Sequence, residues 1–343
     1  MLNILVTGAA GLIGGEVCAR LARAGHAVHA LVHRNPQVRG NDGAAVALAA
    51  DYRGDITQAV CGLDPAALGP IDIVIHCAAS LRFDLSDADY AAVNVEGTRH
   101  ALELARALGA SFLYVSTAYV CGRENGPVAE APVRGDADFA NGYEASKAAA
   151  EALVRTSGLR HAVARPSIVL GEAQSGRIRQ FDTIYQAFRL FAEGRIRHLP
   201  ASADATLDFV AIDHVAAGIA AIAERMEEAG GGIFHLVSGG ALPVADFCAG
   251  IGAWPQFAAP ELVDPAAFDA QALPPLERRL YSRVAAIYAS YFQRSPRFDD
   301  SRLRALTGLR APAANADYFR RQIGYCIEQG FLSSGAEPRA AGA

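Results

Sequence analysis

The sequence predicts a doubly wound α/β fold with a smaller, mostly helical substrate domain. Three observations carry this: short apolar segments alternate with helical patterns, the strand candidates are apolar throughout, and a glycine-rich turn joins the first strand candidate to the first helix. Strands buried on both faces read as continuous apolar runs, so their alternation with helices implies a parallel sheet covered on both sides. Residues 2–6 form the first run, and 16–24 follow with Val17, Leu21 and Ala24 at helical spacing. Further strands are predicted at 27–32, 44–48, 71–76, 111–116 and 162–166, with helices over 90–108 and 143–156. Beyond Pro166 the rhythm weakens: an arginine-rich stretch at 176–198 precedes a helix at 214–227 and a strand at 233–237, and the chain is then Pro-rich before turning helical. The expected organisation is a sheet domain over 1–170 plus 206–240, a substrate domain over 171–205 plus 241–330, and a disordered tail over 331–343.

A chain of 343 residues with 52% hydrophobic content has enough apolar surface for a large core. A net charge of -5 and a pI near 6.0 give no general pull toward nucleic acid or anionic membrane, so no nucleic-acid partner is expected and any phosphate must be gripped locally. The six cysteines (Cys18, Cys61, Cys77, Cys121, Cys248, Cys326) show no zinc-like spacing and read as buried thiols, so no metal is expected. No apolar run reaches spanning length, and the first strand candidate leaves no room for a signal peptide ahead of it; the cytoplasm is the expected compartment.

The glycine-rich turn reads T-G-A-A-G-L-I-G, with Gly8, Gly11 and Gly14 spaced around Leu12 and Ile13. Glycines there let the backbone approach a pyrophosphate, which the amides and positive end of the following helix hold. About 20 residues further on, where an NAD site places a carboxylate for the ribose hydroxyls, stand His33 and Arg34. No acidic residue lies between Glu16 and Asp42. Arg34 is placed to pair with a 2'-phosphate, so the cofactor expected is NADP(H), bound by the sheet domain.

Thirty arginines stand against one lysine, Lys147. A site needing only positive charge is served by arginine, whereas an ammonium is a compact donor whose pKa moves readily. Lys147 follows Tyr143 by four residues in N-G-Y-E-A-S-K, which puts both side chains on one helix face. A lysine placed at random falls four residues after one of the 11 tyrosines about 3% of the time. The pairing carries a mechanism: an adjacent ammonium stabilises a phenolate and lowers its pKa, and the phenol then exchanges a proton with a substrate oxygen while hydride moves at the neighbouring carbon.

These motifs together resemble the extended short-chain dehydrogenase/reductase superfamily over residues 1 to about 240. The resemblance implies further site residues. Gly54-Asp55-Ile56 is similar to the third-strand motif, whose aspartate contacts adenine, and Ile75-His76-Cys77-Ala78-Ala79 to the fourth-strand end that lines the cofactor. Asn94 matches a helix position that supports the active site. Counting back from Gly122 in Val115-Ser116-Thr117-Ala118-Tyr119-Val120-Cys121-Gly122 selects Thr117 as the hydroxyl beside Tyr143, with Ser116 the lesser candidate and Cys121 read as packing. Arg165-Pro166-Ser167-Ile168 resembles the sixth-strand end, where the backbone of Pro166 and Ile168 meets the nicotinamide.

Within the superfamily, the segments around Ile75–Asp84, 115–120 and 165–171 resemble the fatty acyl-CoA reductase and carrier-protein thioester reductase branch, the H-x-A-A-x-x-R-F-D run with Arg82 and Phe83 above all. Pro296-Arg297-Phe298-Asp299-Asp300 is loosely similar as well. The resemblance implies an NADPH-dependent reductase acting on a CoA- or carrier-linked acyl thioester, with Thr117 and Tyr143 stabilising the oxyanion, and a homodimer paired through helices 90–108 and 143–156. Arg177, Arg179, Arg189, Arg195 and Arg197 read equally as a contact for CoA phosphates or as a solvated helix face. The same triad serves keto-group reductases and nucleotide-sugar epimerases or dehydratases. A substrate segment rich in Ala, Leu, Phe and Tyr fits a hydrophobic carbonyl better than a sugar.

Overall fold

Seven parallel strands form one sheet in the computed structural model, which describes residues 1–81, 85–182, 184–285 and 288–334. They are β1 (Asn3–Thr7), β2 (Ala27–Val32), β3 (Ala50–Arg53), β4 (Ile73–His76), β5 (Ser111–Val115), β6 (His161–Pro166) and β7 (Ile233–Leu236), in spatial order 3-2-1-4-5-6-7. β1 pairs with both β2 and β4, which puts Thr7 level with Leu31 on one side and His76 on the other. The strand order reverses at β1, and the crevice beyond the carboxyl ends of β1 and β4 is where this fold binds ligands.

Seven helices matter to the argument: α1 (Leu12–Arg23), α2 (Gly97–Leu108), α3 (Gly142–Thr156), α4 (Ile184–Ala192), α5 (Ile212–Glu224), α6 (Val244–Gly252) and α7 (Ala316–Glu328). Their apolar stripes cover both faces of the sheet. On one face Val17 and Leu21 of α1 and Val215 and Ile219 of α5 pack against Ile4, Val6 and Ile75. On the other, Ala101 and Leu104 of α2 and Ala150 and Val154 of α3 pack against Leu5, Val74 and Phe112.

A third apolar cluster lies beside the sheet and draws on 170–212 and 242–332 together. Phe188, Phe209, Phe247 and Phe319 meet there, with Phe209 stacked on Phe319 at 6.0 Å and Phe188 edge-on to Phe319 at 5.5 Å. Burying each such ring contributes about 1.5–3 kcal/mol, which joins these two stretches of chain although 29 residues separate them in sequence.

Three sequence expectations are corrected. Residues 44–48 are not a strand; only Ala45 makes a bridge, to Arg39, while Val46 and Leu48 pack on the α1 side of the sheet from a loop. The third strand is instead the edge segment Ala50–Arg53, whose residues alternate between partly buried and exposed and so lack an apolar run. The helix expected over 90–108 begins as the single turn Asp87–Tyr90 and passes through a π turn, Ala91–Glu96, before α2. Of the tail expected from 331, the first residues are packed: Phe331 stacks on Phe181 at 4.3 Å and Leu332 is buried, while 335–343 lie outside the described residues. Arg82, Phe83 and Asp84 also lie outside them. Among the described residues no helix is long and apolar enough to cross a membrane.

Candidate active site

The glycine turn is built so that two backbones touch. Gly8 has φ +68°, and a Cβ there would lie 2.7 Å from the Ala78 amide nitrogen. A Cβ on Gly14 would lie 2.3 Å from the Gly8 carbonyl oxygen. Only glycine satisfies both positions. Gly11 caps α1 without a side chain, no acidic residue occupies the first turn, and the Leu12 and Ile13 amides stand at the positive helix end. A cradle of this shape fits a dinucleotide pyrophosphate.

Gly8, Gly11, Leu12, Ile13 and Gly14 line one end of a cavity of about 760 Å3 that runs along the carboxyl edge of the sheet. His33, Arg34, Asp55 and Ile56 line it at the ends of β2 and β3, and Cys77, Ala78 and Ala79 after β4. Asp55 accepts hydrogen bonds from the Thr57 amide and hydroxyl at 2.9 and 2.8 Å, which lower its pKa; nearby His33 and Arg34 act in the same direction. The loop holding Asp55 is braced by an unusual neighbour: Val60 and Cys61 both adopt positive φ, and the Cys61 carbonyl accepts from the Asp55 amide at 2.9 Å.

Thr117, Tyr143, Lys147, Pro166 and Ile168 line the same cavity further along. Asn94 does not. Its side chain accepts from the Ser80 amide at 2.8 Å and donates to Ser146 Oγ at 3.0 Å, and Ser146 in turn donates to the Tyr143 carbonyl at 2.8 Å. Asn94 therefore joins the loop after β4 to α3, and the π turn that carries it sets where its amide points.

Local chemistry fixes where α3 begins. Asn141 caps it by accepting from the Glu144 amide at 2.9 Å, and Glu144 accepts from the Ala140 amide at 3.0 Å. Tyr143 is held in the first turn between them, with Lys147 one turn on. Lys147 is buried; its Nζ donates to the Val115 carbonyl at 2.8 Å and sits 4.3 Å above the Tyr114 ring. Burial pulls its pKa down to about 7, outweighing the opposite pull of Glu151 and Cys77. Glu151, four residues on, is committed to Arg165 at 2.7 and 2.9 Å.

The expected lowering of the Tyr143 pKa is not what the chain alone presents. Burial raises it, and Glu144 and Tyr90 push the same way. Removing the phenol from water outweighs an ammonium that is engaged with a carbonyl and another ring. His76, behind Lys147, hydrogen-bonds Thr7 Oγ1 at 2.7 Å and is pushed down to about 3 by burial and by Lys147, so it is neutral. Burial drives the Cys121 thiol up to about 12, which leaves no thiolate for nucleophilic chemistry.

A further part of the cavity lining was not singled out from sequence. Tyr119, Tyr185, Tyr288 and Tyr291 line it, with Ile184. Tyr119 and Tyr291 meet edge-to-face at 4.6 Å. Only Tyr288 and Tyr291, three apart on one helical turn, are marked as neighbours by their spacing. The arginines considered for phosphate binding are engaged with the protein itself: Arg177 pairs with Glu172 at 3.0 Å, and Arg189 and Arg195 each pair with Glu193 at 2.7 Å. Arg179 donates to the Gly11 carbonyl at 2.9 Å, and the Arg197 amide donates to Glu277. None of the five lines the cavity.

A parallel sheet of this order, with a glycine cradle at its switch point and tyrosine and lysine four apart on one helix beside it, defines an NAD(P)-dependent oxidoreductase of the extended short-chain dehydrogenase/reductase superfamily. The chain belongs to the family described as Male sterility protein, whose NAD-binding model matches residues 6–219, within the fatty acyl-CoA reductase and thioester reductase branch. Fatty acyl-CoA reductase 1 of Xenopus laevis is 28% identical over 270 residues, covering 62% of this chain and 52% of that protein. The chain thus spans about half the length of that relative. A 3-diazoavenalumate denitrifying reductase from Streptomyces sp is 31% identical over 257 residues, 72% of this chain and 79% of that one. The terminal R domain from the myxalamid PKS-NRPS biosynthetic pathway superposes with a TM-score of 0.82 at 25% identity, covering 97% of this chain and 93% of the domain.

Proposed function

We propose that this chain is an NADPH-dependent reductase that delivers hydride to the carbonyl carbon of a hydrophobic acyl thioester, CoA- or carrier-linked, giving the aldehyde and free thiol. One observation carries the reading: Thr117, Tyr143 and Lys147 share a single cavity with the glycine cradle, and Tyr119, Ile184, Tyr185, Tyr288 and Tyr291 line it as well, with Gln180 and Asp182 the polar members of that stretch. Similarity to a fatty acyl-CoA reductase supports the thioester as substrate.

Gly8, Gly11, Gly14, Pro166 and Ile168 would hold a nicotinamide cofactor, which would supply the hydride. The chain's own residues manage the oxygen. Thr117 and Tyr143 donate hydrogen bonds to the oxyanion as the carbonyl becomes tetrahedral, and the phenol gives it a proton. A phenol that burial keeps protonated is suited to donation, the direction that reduction needs. Lys147 stabilises the phenolate left behind. The hemithioacetal so formed then collapses: its C–S bond breaks and its hydroxyl proton passes to the leaving sulfur, so one hydride and one proton go in and aldehyde and thiol come out.

Arg34 is exposed and lines the cavity at the end of β2, which supports NADPH over NADH. In the same reading Tyr185, Tyr288 and Tyr291 belong to a substrate domain over 171–205 plus 241–330, and α2 and α3 form a dimer contact detectable by sedimentation.

The test follows NADPH oxidation with acyl-CoAs, simple ketones and nucleotide sugars. Acyl-CoA turnover with aldehyde release is expected; turnover of a ketone and no thioester overturns the substrate. Arg34→Asp is expected to raise the KM for NADPH by about 10- to 100-fold while leaving that for NADH within about threefold. Equal effects remove the 2'-phosphate role.

A further inference from the structure

Arg294 is a buried arginine beyond the family-matched region, 150 residues from the glutamate it pairs with. Its guanidinium bonds three elements of the site at once. Nη2 donates to Glu144 Oε1 at 2.6 Å, next to Tyr143 in the first turn of α3. Nη1 donates to the carbonyl of Gly122, which closes the turn that begins at Thr117. The guanidinium carbon lies 4.8 Å from the centroid of Tyr119 and 4.6 Å from that of Tyr291, both of which line the cavity.

A planar cation with five donors can hold a carboxylate, a carbonyl and two ring faces together, and an ammonium cannot. The elements it gathers carry the two oxygen ligands of the proposed reaction and part of the substrate wall. We infer that Arg294 is a positioning residue: it fixes the Thr117 turn relative to the Tyr143 helix, so the C-terminal segment completes an active site whose reacting groups all lie before residue 170.

This rests on the reductase reading for the roles of Thr117 and Tyr143, but not on the thioester. Each variant is therefore assayed on whichever carbonyl the parent enzyme reduces. A misplacement of about 1 Å costs on the order of 100-fold in rate, so Arg294→Met is expected to lower kcat about 100-fold per folded molecule. The Kd for NADPH, measured by binding, stays within about threefold, because the cradle is at the other end of the cavity. Arg294→Lys keeps the charge at Glu144 but loses the fork and ring contacts, and is expected about 10-fold down.

The deciding variant is Arg294→Met with Glu144→Leu. Replacing both partners of a buried pair with apolar groups commonly restores stability. A positioning role predicts that Tm recovers while kcat stays depressed. Recovery of kcat together with Tm overturns the inference, as does an Arg294→Lys enzyme with full kcat. Should Arg294→Met not fold, Arg294→Lys and the double variant decide on the same readouts.

Discussion

Helix α3 is held at two points by the same chemistry. Near its start Glu144 pairs with Arg294 at 2.6 Å, and two turns later Glu151 pairs with Arg165 at 2.7 Å; all four residues are buried. The difference is what else each arginine touches. Arg165 lies on β6, one strand from His235 of β7 at 3.5 Å, so its pair fastens the helix to the sheet beneath it. Arg294 arrives from the far end of the chain and rests on the rings of the cavity wall. Identical ion pairs thus serve different ends, one the frame and the other the geometry of the site.

The largest effect that would break this comparison is on stability. Arg165→Met leaves the Glu151 carboxylate buried without its partner, which costs about 3–5 kcal/mol and lowers Tm by about 5 °C. Adding Glu151→Leu is expected to return most of that loss in thermal melts. If Arg165→Met melts within about 2 °C of the parent, the frame role is wrong. A drop in kcat as large as that of Arg294→Met, measured per folded molecule, would erase the distinction between the two anchors.

A smaller effect sharpens it, because Lys147, the buried charge between the anchors, donates to a backbone carbonyl and, among the described residues, has no carboxylate bonded to it. Its folded pKa, about 7, lies below the ordinary 10.5, so between those values the unfolded chain binds more protons and stability rises with pH. Lys147→Met removes that cost while abolishing turnover. Its Tm gain is expected to be about 3 °C or more at pH 6 and to vanish near pH 10.5. An equal gain at both pH values would mean that the lysine's charge is not what burial penalises.

The frame was largely legible in the sequence because it rests on local rules. A glycine turn after a strand must serve close backbone contact, and a four-residue spacing must put Tyr143 and Lys147 on one face. β3 was misplaced because an edge strand needs no continuous apolar run: Ala50–Arg53 alternates, while 44–48 is apolar for packing in a loop. Asn94 was found, but its work in joining Ser80 to Ser146 depends on a π turn that helical periodicity does not reveal. Arg294 was missed because nothing local separates one buried arginine from twenty-nine others, and its partner is 150 residues away. The tyrosine wall was missed for the same reason: it is assembled by tertiary packing.

The π turn has a consequence for how this chain tolerates change in length. Ala91–Glu96 accommodates its residues in a wider coil, so the helix before it and α2 after it are out of step by a fraction of a regular turn. Each residue of α-helix advances the direction of a side chain by about 100°. Deleting one residue from the turn would let the helix wind regularly and swing Asn94 or its neighbours away from Ser80. At this point in the protein, a shift in register does more harm than most exchanges of one side chain for another.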